Sequence, residues 1–436
     1  MNQYLNLLFA AAILPLVNPV PMSALEAVLV AEETIDTVRN PNNGASPLWC
    51  YGSHIFVRDR DTLYLSLLQT DEGVPRYCNT HWELWRRDET DWTELHRGGE
   101  ALEREPCPIG LLGEDELVLS IQPRFAAKPF GHGDGQLSWY CQPGFLSINP
   151  LETDDDDNVY SNLHPAFPLG SEFTQHSYRG FGVDRVNREI LLLVLEQTDE
   201  HYQPTFLSRN GSWRPLPLVK FPVRGCYPQV ALSDRKAHVL AIGDIIEPVD
   251  EWRRAKFEEF GRDWDYVFRR LFYPWSPDLA TDDFQTPVEI DSVDETAGFL
   301  RNLDLHIDAN DRAHVLYQKM PYQYAFMRDR WFPGETMTVS LEYVVLEKGQ
   351  VILRATLRQG LAEEELSESQ ESMRLHYGRF HPLPDGTLGV VYSGSWMGPD
   401  GETESGLYLS RLGAEGDVDE TIRLSAERPL TGAFFT

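Results

Sequence analysis

The chain has 436 residues, and its 38 Lys and Arg against 68 Asp and Glu give a formal net charge of −30 at pH 7. An acidic surface of this kind repels polyanions, so the composition excludes nucleic acid and anionic membrane surfaces as main partners. Hydrophobic residues make up 42% of the chain and aromatic residues 11%, which is enough for a large core. No apolar run is long enough to span a bilayer.

An apolar run, Leu5–Val17, lies near the amino end and is followed by the small residues Ser23 and Ala24. This order is typical of a secretory signal peptide with a short hydrophobic region. The sequence therefore predicts a signal peptide over residues 1–27, a single folded domain over residues 28–436, and a secreted or periplasmic location. The alternative is an uncleaved segment that packs on the fold.

Six segments repeat one pattern, in which an apolar strand, a tight polar turn and a second apolar strand follow each other. The segments are Ile55–Leu67, Ile109–Ile121, Gly180–Val194, Val230–Ile242, Leu305–Tyr317 and Phe380–Tyr392. Their turns are rich in Asp, Asn, Gly and Arg, which is typical of β-hairpins. Further strand-like stretches lie between them, so that each unit of about 50–75 residues resembles one blade of a β-propeller. We predict an all-β fold, a six- or seven-bladed β-propeller, with a β-sandwich or several small β-domains as the alternative.

Two segments interrupt this pattern. Aromatic residues at near-helical spacing, from Trp252 to Phe268, predict a short helical insertion over about residues 248–271. The run Asp154–Asp157 offers carboxylates but lacks the alternating spacing of a calcium loop, so we interpret it as a solvated loop. The five cysteines match no zinc pattern. We therefore predict no cofactor and no metal, with Ca²⁺ as the alternative.

In a propeller the first strands of all blades run parallel around the axis, so their starting residues converge at one mouth of the central channel. Arg, His and Tyr recur at this level, most densely in the third and sixth units. From these positions we select candidate catalytic residues and candidate substrate-binding residues. The catalytic candidates are His176, Tyr178, Tyr227 and His381, and the substrate-binding candidates are Arg179, Arg224, Arg379, His54 and His376.

Guanidinium groups hold carboxylates, and His and Tyr side chains transfer protons, so this set indicates an anionic polysaccharide or oligosaccharide as the partner. In β-elimination on a uronate, His176 or His381 is the base, Tyr178 or Tyr227 is the acid, and the arginines hold the carboxylate. In sialidase-like hydrolysis the arginines hold the carboxylate and a Tyr is the nucleophile. A non-catalytic propeller that binds glycan or protein is the third alternative.

Three segments, His176–Val194, Cys226–Leu232 and Gly378–Tyr392, resemble the BNR-repeat, sialidase-like propellers, nearest to the BNR-4-type group related to ulvan lyases. The resemblance implies a secreted propeller that degrades a uronate-containing polysaccharide, with His176 in the place of the catalytic His and Tyr227 in that of the Tyr. The Asp-box of sialidases, Ser-x-Asp-x-Gly-x-x-Trp, is not intact, since Ser208–Trp213 is one residue short. We therefore predict a polysaccharide lyase, with a glycoside hydrolase as the alternative.

Overall fold

The computed structural model describes residues 24–45, 54–89, 91–100, 102–114, 116–128, 137–149, 160–196, 201–261, 266–362 and 372–427. In these residues the chain forms an all-β fold of antiparallel sheets with two α-helices, and the all-β prediction is confirmed. Most of the predicted signal peptide, the run Asp154–Asp157 and Cys50 lie outside the described residues. Secretion and the calcium alternative therefore stay predictions.

Six sheets of four or five strands follow one another along the described residues. Sheet 1 consists of β1 (Phe56–Asp59), β2 (Thr62–Thr70), β3 (Thr80–Asp88) and β4 (Asp91–Arg97). Sheet 2 consists of β5 (Ile109–Leu111), β6 (Leu117–Ile121), β9 (Gly144–Ile148) and β10 (Tyr160–Leu163), and a separate hairpin of β7 (Arg124–Lys128) and β8 (Ser138–Cys141) stands between β6 and β9. Sheet 3 consists of β11 (Arg179–Asp184), β12 (Glu189–Leu195), β13 (Tyr202–Leu207) and β14 (Trp213–Pro215).

The second half of the chain repeats this layout. Sheet 4 consists of β15 (Gly225–Ser233), β16 (Lys236–Gly243), β19 (Arg270–Tyr273), β20 (Trp275–Ser276) and β21 (Val288–Ser292), with the short pair β17 (Ile245–Ile246) and β18 (Tyr266–Val267) beside it. Sheet 5 consists of β22 (Phe299–Ile307), β23 (Ala313–Met320), β24 (Thr338–Glu347) and β25 (Gln350–Leu361). Sheet 6 consists of β26 (Arg374–Pro382), β27 (Leu388–Met397), β28 (Thr403–Leu412) and β29 (Val418–Leu424).

The first two strands of every sheet form a hairpin at one of the six predicted positions, so these hairpins are confirmed. Each first strand contacts the first strand of the next sheet in chain order, from β1 through β5, β11, β15 and β22 to β26. The six sheets are therefore arranged side by side around their first strands.

The contact between β11 and β15 depends on two glycines. A Cβ atom at Gly180 would lie 2.7 Å from the carbonyl oxygen of Pro228, and one at Gly182 would lie 2.7 Å from the side chain of Val230. The contacts advance in the same direction along both strands, so β11 and β15 run parallel. Side chains at these positions would push sheets 3 and 4 apart.

We predict that Gly180→Val destabilises the fold by about 1–3 kcal/mol, because its side chain overpacks a contact that contains backbone. The measurement is denaturant unfolding of both proteins. Gly99→Ala is the matched control, since a Cβ atom there meets nothing within 4 Å. Equal stability of Gly180→Val and wild type would contradict the close approach of the two strands.

Residues 24–45 form no strand and run from sheet 6 to sheet 1. Leu25 is 6% exposed and packs against Leu409 in sheet 6. Farther along, the carboxylate of Glu33 accepts two hydrogen bonds of 2.8 Å from Arg87 in sheet 1. This segment therefore ties the last described sheet to the first.

Two helices lie in connections between second and third strands. Helix α1 (Asp250–Phe260) belongs to sheet 4 and ends at Gly261, whose φ of 67° is left-handed. It is shorter than the predicted insertion of residues 248–271, because the chain returns to sheet pairing at β18. Helix α2 (Ala325–Trp331) belongs to sheet 5 and was not expected from the sequence. The rings of Trp252 in α1 and Trp331 in α2 lie 6.3 Å apart, so the two helices pack together.

No helix in the described ranges is long and apolar enough to cross a membrane.

A buried group of charges fixes α1 to sheet 4. The carboxylate of Glu247 accepts hydrogen bonds of 3.0 and 2.6 Å from Arg269, and the ammonium of Lys256 in α1 lies 3.2 Å from it. All three side chains are at most 2% exposed. Removal of Glu247 would leave two buried cations without a counter-charge, which is strongly destabilising, so the position of α1 is closely determined.

Candidate active site

Side chains at the starts of the first strands, together with Phe268 just before β19, meet around one end of the sheets, which we call the mouth. Ring centroids there lie 4.7 Å apart for Tyr178 and Tyr227, 5.9 Å apart for Tyr227 and Phe268, and 5.9 Å apart for Phe268 and Phe299. The guanidinium of Arg301 continues this arc, at 5.3 Å from the ring of Phe299 and 4.8 Å from that of Tyr377. All of these residues are half-buried. Sheets 3 to 6 each contribute at least one of them, so their first strands begin at a common place.

β-Bulges near the starts of three first strands aim side chains at the mouth. They lie between Cys226 and Gln229 in β15, between Asn302 and Asp304 in β22, and between Leu375 and Gly378 in β26. Tyr227 sits inside the first bulge with a φ of 50°, a left-handed conformation that is unusual for a bulky residue. Bulges redirect side chains and are over-represented next to active sites.

Amide side chains from neighbouring sheets hold these irregular strand starts in place. Each one donates to a backbone carbonyl at the edge of a bulge, inside a bulge or in the turn before the strand. The bonds run from Gln229 to Leu303 at 2.9 Å, from Gln318 to Leu375 at 2.6 Å, from Asn302 to Tyr227 at 2.8 Å, and from Gln122 to Thr174 at 2.9 Å and Ser177 at 3.0 Å. Since a buried carbonyl without a partner is costly, these bonds fix the direction of the mouth residues.

His176 is half-buried at the mouth, and the ring of Tyr77 contacts it edge-on at 5.5 Å between centroids. Burial, followed by the positive charges of Arg104, Arg224 and Lys128, lowers the pKa of His176 well below its ordinary value. Both causes disfavour the imidazolium. The imidazole is therefore neutral at pH 7 and able to accept a proton.

Tyr178 lies beside a guanidinium and a carboxylate. The guanidinium of Arg224 lies 5.5 Å from the centre of the Tyr178 ring and pairs with the carboxylate of Asp244. Burial raises the pKa of Tyr178 above its ordinary value, so the phenol keeps its proton and is able to donate it. Burial also raises the pKa of Glu105, against the opposing charge of Arg104 at 2.7 Å. The mouth therefore combines a neutral imidazole, a protonated phenol, a carboxyl group with a raised pKa and guanidinium groups.

Two of the predicted arginines bind backbone groups between sheets. The guanidinium of Arg179 is buried and donates to the carbonyl oxygens of Pro106 at 3.0 Å and Ser120 at 3.2 Å. Arg379 donates to the carbonyl oxygen of Leu303 at 3.0 Å and pairs with Asp304 at 3.1 Å. Both guanidinium groups therefore connect neighbouring sheets.

The three remaining predicted histidines lie at different distances from the mouth. Burial lowers the pKa of His54, and Arg379 and Asp304 lie close enough for their charges to act on it in opposite directions. His376 belongs to the mouth, where its Nε2 lies 2.8 Å from the hydroxyl of Ser395, and burial together with two nearby arginines lowers its pKa to about 4. His381 is exposed at the other end of β26, five residues or about 16 Å along the strand from His376. The structure therefore brings His176, Tyr178, Arg224, Tyr227 and His376 to the mouth, and leaves His381 away from it.

Several residues at the mouth were not selected from the sequence, and three of them are Tyr77, Lys128 and Asp244. All three lie in connections between second and third strands. In an antiparallel sheet the second strand ends at the edge where the first begins. Polar and aromatic residues just after each second strand were therefore the available signal.

The described residues contain no group of three or more His, Cys, Asp and Glu side chains arranged to hold a metal ion. Cys78, Cys107, Cys141 and Cys226 are buried free thiols.

Two other depressions lie away from the mouth. One of about 560 Å³ is lined by residues of sheets 4 and 5, including Asp291 and Lys319, which pair at 2.8 Å. The other, of about 920 Å³, lies at the hairpin turns of sheets 1 to 3, where Arg185 pairs with Asp59 at 2.6 Å. Neither joins a neutral base to a proton donor, so the mouth is the candidate active site.

We predict that Arg224→Gln raises the pKa of His176 toward its ordinary value. The substitution removes a positive charge that disfavours the imidazolium and leaves the charge of Asp244 to favour it. The measurement is NMR titration of the histidine side chains, with His176→Asn to assign the signal. Arg188→Gln, at the opposite end of the sheets, is the control, and an unchanged pKa in Arg224→Gln would contradict the electrostatics described above.

No protein-family model matches this chain, and no curated protein matches its sequence. Among solved structures it is similar to the polysaccharide lyase Uly1, with a TM-score of 0.46 and 9% identity over 88% of this chain and 83% of that one. It is also similar to YjhT, with a TM-score of 0.40 and 9% identity over 82% and 95%. A third similarity is to the α-L-arabinanase of Penicillium chrysogenum complexed with arabinobiose, with a TM-score of 0.36 and 12% identity over 71% and 78%. At such values none of them identifies an activity for this chain.

Proposed function

We propose that the six sheets close into a six-bladed β-propeller. The chain-order contacts of the first strands support this, and so does the closeness of His54, before the first strand of sheet 1, to Arg379 in sheet 6. The segment of residues 24–45 would then close the ring from outside. An experimental density map is the test, and a seventh sheet or a gap between sheets 6 and 1 would contradict the proposal.

We propose further that the mouth binds an anionic glycan and cleaves it by β-elimination at a uronate residue. The observation that carries this proposal is the neutral imidazole of His176 among three cations and beside a tyrosine that keeps its proton. A neutral base that is buried among positive charges suits a substrate whose own charge is negative.

The reaction assigns one role to each group. His176 takes the proton from C5 of the uronate, and the electrons of that C–H bond form the double bond between C4 and C5. The bond from C4 to the glycosidic oxygen breaks, and Tyr178 gives its proton to this oxygen. The guanidinium of Arg224 stabilises the negative charge that gathers on the uronate carboxylate as the C–H bond breaks. Tyr227, in contact with Tyr178, orients the phenol.

Hydrolysis is the second candidate, and one observation favours it. The carboxyls of Glu105 and Asp244 both act on the pKa of Tyr178. Glu105, with a raised pKa, suits a general acid, and an acidic neighbour suits an activated Tyr nucleophile. The two reactions therefore differ in the roles of Tyr178 and Glu105.

We predict that the protein releases unsaturated products from uronate polysaccharides, and that His176→Ala lowers the rate by about 10²–10⁴-fold, the usual contribution of general acid–base catalysis. The measurement is ultraviolet absorbance on alginate, polygalacturonate and sulfated uronate polysaccharides. His381→Ala is the matched control and is expected to keep its activity, because His381 lies at the other end of β26.

Three results decide between the alternatives. New reducing ends without ultraviolet absorbance would show that the protein is a hydrolase and not a lyase. Binding of the glycan without formation of either product would show that the protein is a non-catalytic binding module. Full activity of His176→Ala on a cleaved substrate would exclude His176 as the base.

A further inference from the structure

The β7–β8 hairpin is attached directly to the segment that carries His176. The backbone N–H of Trp139 donates to the side chain of Gln175 at 2.7 Å, and the N–H of Gln175 donates back to the carbonyl of Trp139 at 3.3 Å. Tyr140 forms an isolated bridge with Thr174. The hairpin therefore forms a wall of the mouth beside His176.

One face of this hairpin carries an aromatic pair and a lysine. The rings of Phe125 and Tyr140 stack at 6.2 Å with an interplanar angle of 26°, and the ammonium of Lys128 lies 5.3 Å from the centre of the Tyr140 ring. The same ammonium is one of the charges that lower the pKa of His176. The positive charge of Lys128 therefore acts both on the aromatic pair and on the base.

Core packing does not explain this face. Phe125 is 67% exposed, so little of its ring is removed from water in the fold. The opposite face of the hairpin is occupied, since the guanidinium of Arg124 lies 4.1 Å from the centre of the Trp139 ring and the indole N–H of Trp139 donates to the carbonyl of Arg76 at 3.4 Å. Exposed aromatic surface next to a site is typical of a ligand contact.

We propose that Phe125, Tyr140 and Lys128 form an accessory subsite for a charged sugar residue of an oligosaccharide whose next residues occupy the mouth. The inference rests on the proposed function of the mouth and adds a second contact to it. The apolar C–H face of a sugar ring covers the exposed side of Phe125, which Tyr140 supports from the other side. Lys128, one of only 6 lysines in the chain, pairs with the carboxylate or sulfate of that sugar.

The test compares the binding of uronate octasaccharides and disaccharides from alginate and from polygalacturonate by calorimetry. Phe125→Ala and Lys128→Gln are each expected to bind the octasaccharide about 10-fold more weakly, equivalent to about 1.4 kcal/mol, and the disaccharide as tightly as wild type. Ile352→Ala and Lys236→Gln are the matched controls. Ile352 is 51% exposed on β25, and Lys236 pairs with Asp311 at the hairpin-turn end.

A second readout separates the two variants. Lys128→Gln removes a cation beside His176, so it is expected to raise the pKa of His176, whereas Phe125→Ala is expected to leave it unchanged. Octasaccharide affinity equal to that of wild type in both variants would overturn the subsite and leave the proposed function of the mouth intact. If wild type binds no anionic oligosaccharide, the proposed function fails and the subsite fails with it.

Discussion

The amide-to-carbonyl contacts between neighbouring sheets are the constraint on which the rest of the mouth depends. A bulge turns carbonyl groups of a first strand away from their own sheet, and a buried carbonyl requires a partner. Gln229, Gln318 and Asn302 supply that partner from an adjacent sheet. Each bond thereby joins two sheets and holds an irregular strand start. The stability of the sheet arrangement and the direction of the mouth side chains thus come from the same hydrogen bonds.

Local turn chemistry explains why the hairpins could be predicted. A turn such as that of Asp385 and Gly386 is determined by a few adjacent residues, and the carboxylate of Asp385 accepts a 2.9 Å bond from the N–H of Thr387. The level of Tyr178 and of Tyr227 along the chain axis of their first strands could be predicted for the same reason. The face of the sheet on which a side chain lies could not be predicted, because successive side chains of a strand point to opposite faces. Tyr178 lies at the mouth, whereas Arg179, the next residue, lies between sheets 2 and 3.

The rest of the site could not be predicted because its backbone is irregular. The apolar pattern placed the start of the last hairpin at Phe380, but β26 begins six residues earlier at Arg374, and the bulge before Gly378 breaks the alternation between them. His381 was therefore assigned to a strand start although it lies near the strand end. Tyr77 lies in a loop and Lys128 lies in the β7–β8 hairpin, and the paths of both segments depend on tertiary contacts. The periodicity of the sequence therefore does not predict where these two residues lie.

The charge distribution links substrate binding to the basicity of His176. Charges on the surface are screened over about 8 Å at physiological ionic strength, so the net charge of −30 does not cancel the positive field of the mouth. Burial and that field together keep the imidazole of His176 neutral but also make it a weak base. A bound carboxylate or sulfate near Arg224 or Lys128 offsets part of this field and raises the proton affinity of His176. The base then becomes strongest when an anionic substrate is in place, which favours proton abstraction from a charged glycan over abstraction from a neutral one.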